Sequence, residues 1–339
     1  MKLPIPQLLA GLLAATALFT TGCGGSNAGG APAVEILNVS YDPTRELWKD
    51  INGQFAKQWE KDKGGKLKIK QSHGGSGSQA RAVNDGLEAD VVTLAIPADT
   101  DAIRKKGLIN EGWEKELPND SLPYASTIVF VVRKGNPKGI HDWQDVVKDG
   151  VQVITPNPKT SGNGKLSYLA LWGWAIKNGK TPEEAQELVR KLYSQVPVLD
   201  TAARGCTLTF AQKGIGDVHL TWENEAHLEL KEFGDLEIVY PKSSILAEPK
   251  VAVVDANVDK HGTREVSEAY LKFLYTDPAQ ETIAKHYYRP TNKAILDKHA
   301  STLKPIELFP ITSFEKGWDE SFKKHFSEGG VFDSIYTKK

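Results

Sequence analysis

The chain has 339 residues, 40% of them hydrophobic and 25% charged, with 42 basic side chains against 43 acidic ones. That length is enough for roughly two domains, and the composition is that of an ordinary globular protein rather than a disordered or fibrous one. The near-balance of charge gives no reason to expect nucleic acid or an anionic membrane surface as a partner.

Residues 1–33 read as export signal and tether rather than as fold. Lys2 supplies a minimal positive start, and residues 8–20 form an apolar run too short to span a bilayer comfortably. Thr21-Gly22-Cys23-Gly24-Gly25-Ser26 then opens a tether rich in Gly, Ala, Ser and Asn. A small residue before a cysteine at the end of such a run resembles a bacterial lipoprotein signal, with Cys23 as the lipid anchor. Plain secretion, with cleavage within residues 28–33, is the alternative, and both predict a periplasmic or otherwise extracytoplasmic protein. The chain has 2 cysteines, so with Cys23 acylated or removed, Cys206 stands alone. Its neighbours Gly205 and Thr207 fit a small core residue better than a nucleophile.

From residue 34 the chain alternates strand-like and helix-like runs. Residues 34–40 read as a buried strand, and Asp42 as the N-cap of a helix with Pro43 at its first position. Leu47, Ile51, Phe55 and Trp59 recur every four residues and give that helix an apolar stripe. Residues 67–70 and 90–95 are further strands, and residues 79–83 and 100–107 helices. Strands are predicted at 126–133, 151–155, 196–199, 217–221, 236–240 and 251–254. Helices are predicted at 165–177, after Thr181 with Pro182 and Glu184 as a capping signal, after Trp222, and at 263–275 and 278–286. This β-α alternation predicts an α/β protein with mostly parallel sheets. Extended runs near 126–133 and 246–254 predict two lobes joined by two hinge crossings, with a ligand cleft between them. The expected division is 34–127 and 246–310 for one lobe, 128–245 for the other, and a helical C-terminal tail at 311–339.

Four turns share one plan, in which a strand ends and a Gly/Ser/Thr/Asp-rich turn starts a helix: 41–44, 73–79, 160–164 and 201–204. The second is the most marked, Gln-Ser-His-Gly-Gly-Ser-Gly-Ser-Gln-Ala over residues 71–80. Glycine lets backbone approach a ligand, and helix N-termini carry unpaired N–H groups and a partial positive charge. Two such turns from each lobe, facing across a cleft, would form a cage of N–H donors for a small anion, with Ser76, Ser161 and the indole of Trp222 as side-chain donors. Asp42 is expected to be occupied capping its own helix, so the pocket offers donors only. That favours a fully ionised oxyanion such as sulfate over one that carries a proton.

The runs Asn38-Val39-Ser40-Tyr41-Asp42-Pro43-Thr44-Arg45-Glu46-Leu47, 71–77, 126–138, 153–161, 214–225 and 245–250 resemble bacterial periplasmic sulfate-binding proteins of ABC importers. The resemblance runs over nearly the whole chain from Val34. It implies a two-lobed type II periplasmic binding fold that closes on one sulfate, with thiosulfate as the alternative ligand, and delivery to an ABC permease with its ATPase subunits. Carried onto this sequence, the donors it implies are the N–H of Asp42, the hydroxyl of Ser76, the N–H and hydroxyl of Ser161, the N–H groups of Gly162, Asn163 and Ala203, and the indole of Trp222. Asn163 stands where the family usually has glycine. Arg45, Arg81 and Arg204 are expected to pair with nearby carboxylates and steady the turns rather than touch the anion. A monomer without cofactor or metal is expected.

Rival readings are weaker. His286-Tyr287-Tyr288 resembles the paired tyrosines of iron-binding proteins of the same fold, against a plain helix end followed by Arg289-Pro290. Glu223 and Glu225, read as an acid/base pair, would make an enzyme or sensor of the same cleft; two residues apart on a helix they face different ways and are expected on the solvated surface. His73 is expected to be a hydrogen-bonded turn residue, since no second His or Cys stands at metal spacing. Gly162-Asn163-Gly164-Lys165 is followed by Leu166, which rules out a P-loop.

Overall fold

The computed structural model describes residues 33–336; the signal, the tether and Cys23 lie outside the described residues. The first sheet is built from β1 (Val34–Tyr41), β2 (Leu67–Gly74) and β3 (Val91–Thr93), interleaved with α1 (Arg45–Lys63), α2 (Ser76–Asn84) and α3 (Pro97–Arg104). The second contains β4 (Ile128–Arg133), β5 (Val153–Ile154), β6 (Val218–Trp222) and β7 (Leu236–Val239), with α4 (Gly162–Lys177), α5 (Pro182–Ser194), α6 (Ala203–Thr207) and α7 (Glu223–Phe233). The chain then returns to the first sheet as β8 (Val251–Val253), followed by α8 (Arg264–Phe273) and α9 (Asp277–Lys285). Two short helices, α10 (Trp318–His325) and α11 (Val331–Ile335), end the described chain.

Strand order is β8-β3-β1-β2 in the first sheet and β5-β6-β4-β7 in the second. β1 pairs parallel with β2 and β3, while β8 runs antiparallel to β3. In the second sheet β5 and β6 are parallel, but β4 is antiparallel to both β6 and β7. Three of the four strands in each sheet run the same way, so both are mostly parallel as expected, with β8 reversed at the edge of the first sheet and β4 reversed inside the second. β4 is the strand that carries the chain in from the hinge, so it runs against the strands of the β-α units on either side of it. The expected strand at 196–199 is not formed; its flanks make isolated bonds instead, Val153 N–H to the Gln195 carbonyl (3.1 Å) and Asn157 N–H to the Asp200 carbonyl (2.8 Å).

The local rules explain most of the rest. The α1 stripe buries Leu47, Ile51 and Phe55 and half-buries Trp59. The helix ends at Gly64, whose φ of 71° is open to glycine, with its N–H on the Glu60 carbonyl (2.9 Å). The polar residues of β1 are buried but paired: Ser40 Oγ donates to the Thr93 carbonyl (2.9 Å) and accepts from the Trp48 indole (2.8 Å), while Asn38 donates to the Tyr270 hydroxyl (3.1 Å). Thr181 and Glu184 form the predicted capping box on α5.

The two crossings meet at the hinge, where Ser126 and Ala247 exchange backbone hydrogen bonds of 3.1 and 2.9 Å. A third run, Glu307–Phe309, pairs parallel with Ser243–Ile245 and leads the C-terminal segment onto the helices of the second sheet, an addition to the two crossings expected. Beside the hinge, Arg289 donates twice to Glu223, both at 2.7 Å, and once to the Lys304 carbonyl at 2.8 Å. Glu223 is fully buried and burial raises its carboxyl pKa, so the arginine is what keeps an ionised carboxylate tolerable there. Arg289→Met is expected to lower unfolding free energy by about 3–5 kcal/mol, because it leaves a buried carboxylate unpaired. Urea unfolding of the single variant and of Arg289→Met with Glu223→Met checks this, the double variant regaining part of the loss.

Candidate functional site

β1 and β2 end side by side, with Tyr41 opposite Gly74 in the parallel register. The turns that leave them therefore emerge together. After Tyr41 the backbone tightens into a 3-10 turn, Asp42–Thr44, before α1 begins. After Gly74 a single residue, Gly75, leads into Ser76 at the start of α2. From the other lobe, Ser161 caps α4, with its Oγ accepting from the Gly164 N–H at 3.4 Å. Ala202 is extended and α6 starts at Ala203. Trp222 is the last residue of β6.

These turns meet in one small cavity. It is lined by Asp42, Ser76, Ser161, Gly162, Asn163, Ala203 and Trp222, together with Tyr41, Pro43, Gly74 and Gly75, and its volume is about 10 Å³. Pockets for drug-sized ligands run to roughly 300–1,000 Å³, so only a molecule of a few heavy atoms fits. All the residues singled out as anion donors are thus brought together, although the helices start earlier than expected in the second and third turns.

Their donor roles differ in detail from the sequence expectation. The N–H groups of Asp42, Ser76, Gly162, Asn163 and Ala203 stand at the first positions of helical turns, where the helix supplies no acceptor. Ser161 keeps its hydroxyl proton free, but its N–H is committed to the Asn157 carbonyl at 2.9 Å. The Ser76 hydroxyl is also committed: it donates to Asp99 Oδ2 at 2.6 Å and accepts from the Ala95 N–H at 3.0 Å. Ser76 can therefore offer its backbone N–H and not its hydroxyl. The Trp222 indole N–H is fully buried and meets no acceptor among the described residues. A buried donor of that kind costs about 1–3 kcal/mol unless something accepts from it.

The surrounding charges are turned away from the cavity and onto one another. Asp42 does not cap its own helix. Arg45 donates to its Oδ1, and its Oδ2 accepts the Arg204 N–H from the opposite lobe at 3.1 Å. The Arg204 guanidinium reaches Glu46 (3.2 Å) and Glu225 (3.1 Å), again joining both lobes. Arg81 departs from expectation and contacts the Lys159 carbonyl (3.5 Å) and Ser78 Oγ (3.3 Å) instead of a carboxylate. Glu225, expected on the surface, is buried; burial outweighs Arg204 and pushes its carboxyl up to about 8. Lys165, which sequence reading weighed only as part of a failed P-loop, is 1% exposed and pairs across the cleft with Asp99 at 2.6 Å. The signal was present, since a cation in the first turn of a Leu/Ala/Trp-rich helix has to be paired if that part of the helix is buried.

The lobes approach so closely here that side chains are excluded. A Cβ on Gly75 would lie 2.5 Å from the Thr160 carbonyl oxygen and 3.3 Å from that of Thr201, both on the other lobe. On Gly162 it would overlap the Ala95 side chain. Tyr41 stacks obliquely on Trp222 with ring centroids 5.1 Å apart and closes the cavity behind the indole.

The rival residues are engaged elsewhere. Tyr288 donates to the Pro43 carbonyl (3.0 Å), whereas Tyr287 stacks on His227 (4.4 Å), so the two tyrosines do not converge. His73 bridges the Tyr41 carbonyl (3.2 Å) and Gln71 Oε1 (2.7 Å) as a turn residue. Cys206 is fully buried and burial raises its thiol pKa, which suits a core residue and not a thiolate nucleophile.

Comparison with known proteins agrees with this geometry. The profile of the family described as "Bacterial extracellular solute-binding protein" matches residues 41–289. The chain is 53% identical to the "Sulfate-binding protein" of Escherichia coli strain K12, over 90% of this chain and 94% of that one. It is 50% identical to the "Thiosulfate-binding protein" of Pseudomonas aeruginosa, over 90% and 93%. Among solved structures, the sulfate-binding protein SubI from Mycobacterium tuberculosis H37Rv superposes with a TM-score of 0.77 at 29% identity, covering 86% of this chain and 98% of that one. A lobed α/β fold with a small cavity between its sheets, and relatives this close over this much of the chain, place the protein in one family: it is a bacterial extracellular solute-binding protein of the type II periplasmic binding fold, within the sulfate- and thiosulfate-binding group.

Proposed function

We propose that this protein captures sulfate between its lobes through neutral donors and presents it to an ABC importer, and that it does no chemistry on the ligand. The observation that carries the reading is the buried Trp222 indole N–H, without an acceptor, beside the unpaired N–H groups of four turns in a space that holds only a few heavy atoms. The donor set is the N–H of Asp42, Ser76, Gly162, Asn163 and Ala203, the Ser161 hydroxyl and the Trp222 indole. In a space this dry each donor is stronger than in water, and together they replace the hydration of a dianion without a countercharge.

Sulfate is already fully ionised at mildly acidic pH, so it presents only acceptors. Hydrogen phosphate brings a proton into the same space, and the nearest carboxylate, Asp42, has both oxygens engaged by Arg45 and by the Arg204 N–H. Thiosulfate offers acceptors of the same kind, and the 50% identity to a thiosulfate-binding protein supports it as the second ligand to be tried. The two lobes are assigned to residues 34–127 with 246–310 and to residues 128–245. The export signal and acylation of Cys23 complete the proposal, with the protein working as a monomer held at the outer face of the membrane. Intact mass of protein purified from membranes of the native host is expected to show a diacylglyceryl cysteine at the N-terminus; an unmodified chain starting within residues 28–33 means secretion without an anchor.

Titration calorimetry of the mature protein tests the ligand. Tight one-to-one binding of sulfate is expected, unchanged from mildly acidic to neutral pH, with no heat from phosphate. Binding of phosphate in preference to sulfate would mean that an acceptor serves the site. In Trp222→Phe, loss of one donor should weaken sulfate binding by about 1–3 kcal/mol, or roughly 5- to 150-fold, with the fold retained. Gly75→Ala should leave the melting temperature of the ligand-free protein unchanged and weaken sulfate binding by about 1–3 kcal/mol, because its methyl meets the opposite lobe only when the cleft shuts. Thermal melts with and without sulfate check it: the shift that sulfate gives the parent protein shrinks in the variant.

A further inference from the structure

The loop before the Ser161 cap is held from outside the site. Lys159 extends away from the cavity, and its ammonium group donates to the Phe326 carbonyl (3.0 Å), the Ser327 carbonyl (2.9 Å) and the Asp333 carboxylate (2.8 Å). Those acceptors are the C-terminal end of α10 and a residue of α11. The last carbonyls of a helix lack intrahelical partners and carry its negative dipole end, so an ammonium group is well matched to that place.

The same loop is tied inward to the donor turns. Asn157 organises it, its side chain accepting the Lys159 N–H (2.8 Å) and its carbonyl accepting the Ser161 N–H (2.9 Å). Asn157 N–H bonds the Asp200 carbonyl (2.8 Å) and the Thr160 hydroxyl donates to the Thr201 carbonyl (2.7 Å). Any shift of Lys159 is thereby passed both to the Ser161–Asn163 turn and to the turn that presents Ala203.

The C-terminal helices are themselves firmly seated. Phe326 and Phe332 are buried against Tyr168 and Tyr193, with ring centroids 5.1 and 5.0 Å apart. His325 is wedged between the Tyr168 hydroxyl and Glu315, both at 3.0 Å. At its other end α10 reaches the opposite lobe, where Asp319 meets Lys105, just past the end of α3, at 2.9 Å. The helix thus spans the cleft, with its acidic first turn on one lobe and its carbonyl end on the anion loop of the other.

We propose that Lys159 is a positioning residue for the anion site, through which the C-terminal helices fix the donors of the second lobe at their binding spacing. The proposal rests on the sulfate reading above. Lys159 touches no ligand, lines no part of the cavity, and acts through the two turns it steadies.

The test uses the full mature chain. Lys159→Met is expected to weaken sulfate binding roughly 5- to 30-fold in calorimetry, carried mainly by faster release in stopped-flow tryptophan fluorescence, with Lys159→Arg restoring most of it. Asp333→Asn should give a smaller loss that does not add to that of Lys159→Met. Folded Lys159→Met with parental affinity overturns the proposal, and so does additivity of the two losses. Should Lys159→Met fail to fold, Asp333→Asn alone carries the test, parental affinity in it counting against the proposal. Hydrogen exchange at the Thr160 and Ser161 amides of the ligand-free protein reads the strap without any ligand, and faster exchange in Lys159→Met is expected. A parent protein that binds no sulfate would sink the functional reading alone, while unchanged exchange in the variant would sink this one.

Discussion

The constraint on which the proposed function makes the rest of this structure depend is the burial of an anion without a countercharge. A buried cation would bind more strongly and less selectively, and it would have to be desolvated at a cost of several kcal/mol whenever the cleft closed. Neutral N–H groups avoid that cost but are individually weak, so their value rests on position. Apart from Arg81, the charged groups described around the cavity are neutralised by other charged groups and not by the ligand space. Asp42 is held by Arg45 and by a backbone amide of the other lobe, Arg204 by Glu46 and Glu225, and Lys165 by Asp99. The ion pairs serve as fixings for the turns that carry the amides.

Several of these fixings cross the cleft, and they form only when the lobes come together. Asp42 to the Arg204 amide, Glu46 to Arg204 and Asp99 to Lys165 each join a turn of one lobe to a helix start of the other. Asp99 also accepts a hydrogen bond from the Ser76 hydroxyl, so the buried Lys165 ammonium and the Ser76 side chain are two ends of one short chain of contacts. That explains why a serine predicted as a side-chain donor is better described as an amide donor with an anchored side chain. The close approach of Gly75 to Thr160 sets the limit of the motion.

Much of this was legible in the sequence, and the part that was not has a common cause. The four turns that line the cavity, the α1 stripe and the α5 capping box could be read from local chemistry, because turns and helix starts are decided within a few residues, while the individual donors such as Asn163 and Ala203 came from the family resemblance. Strand direction in the second sheet, the missing strand at 196–199, the cross-cleft partner of Asp42, the partners of Ser76, and the burial of Glu223 and Glu225 are decided by residues about 20 to 160 positions away, and no local pattern encodes them. The error at Glu223 and Glu225 is instructive. Their different directions on the helix were inferred correctly, but both directions lead to arginines, the buried Arg289 on one side and the half-buried Arg204 on the other.

The donors proposed to bind the anion also bear on the position of the lobes. A shut cleft without an acceptor would bury the Trp222 indole N–H and the first amides of several turns unpaired, at about 1–3 kcal/mol for each that water cannot reach. Open, each of those groups is hydrated and none of that cost arises. The cross-cleft ion pairs work the other way, favouring closure whether or not an anion is present. With terms that oppose one another in this way, the ligand that satisfies the most donors favours the shut form most, as a population shift requires. An anion that carries a proton satisfies one fewer and brings a donor of its own, so it closes the cleft less completely. Selectivity and closure are thus two readings of one hydrogen-bond inventory.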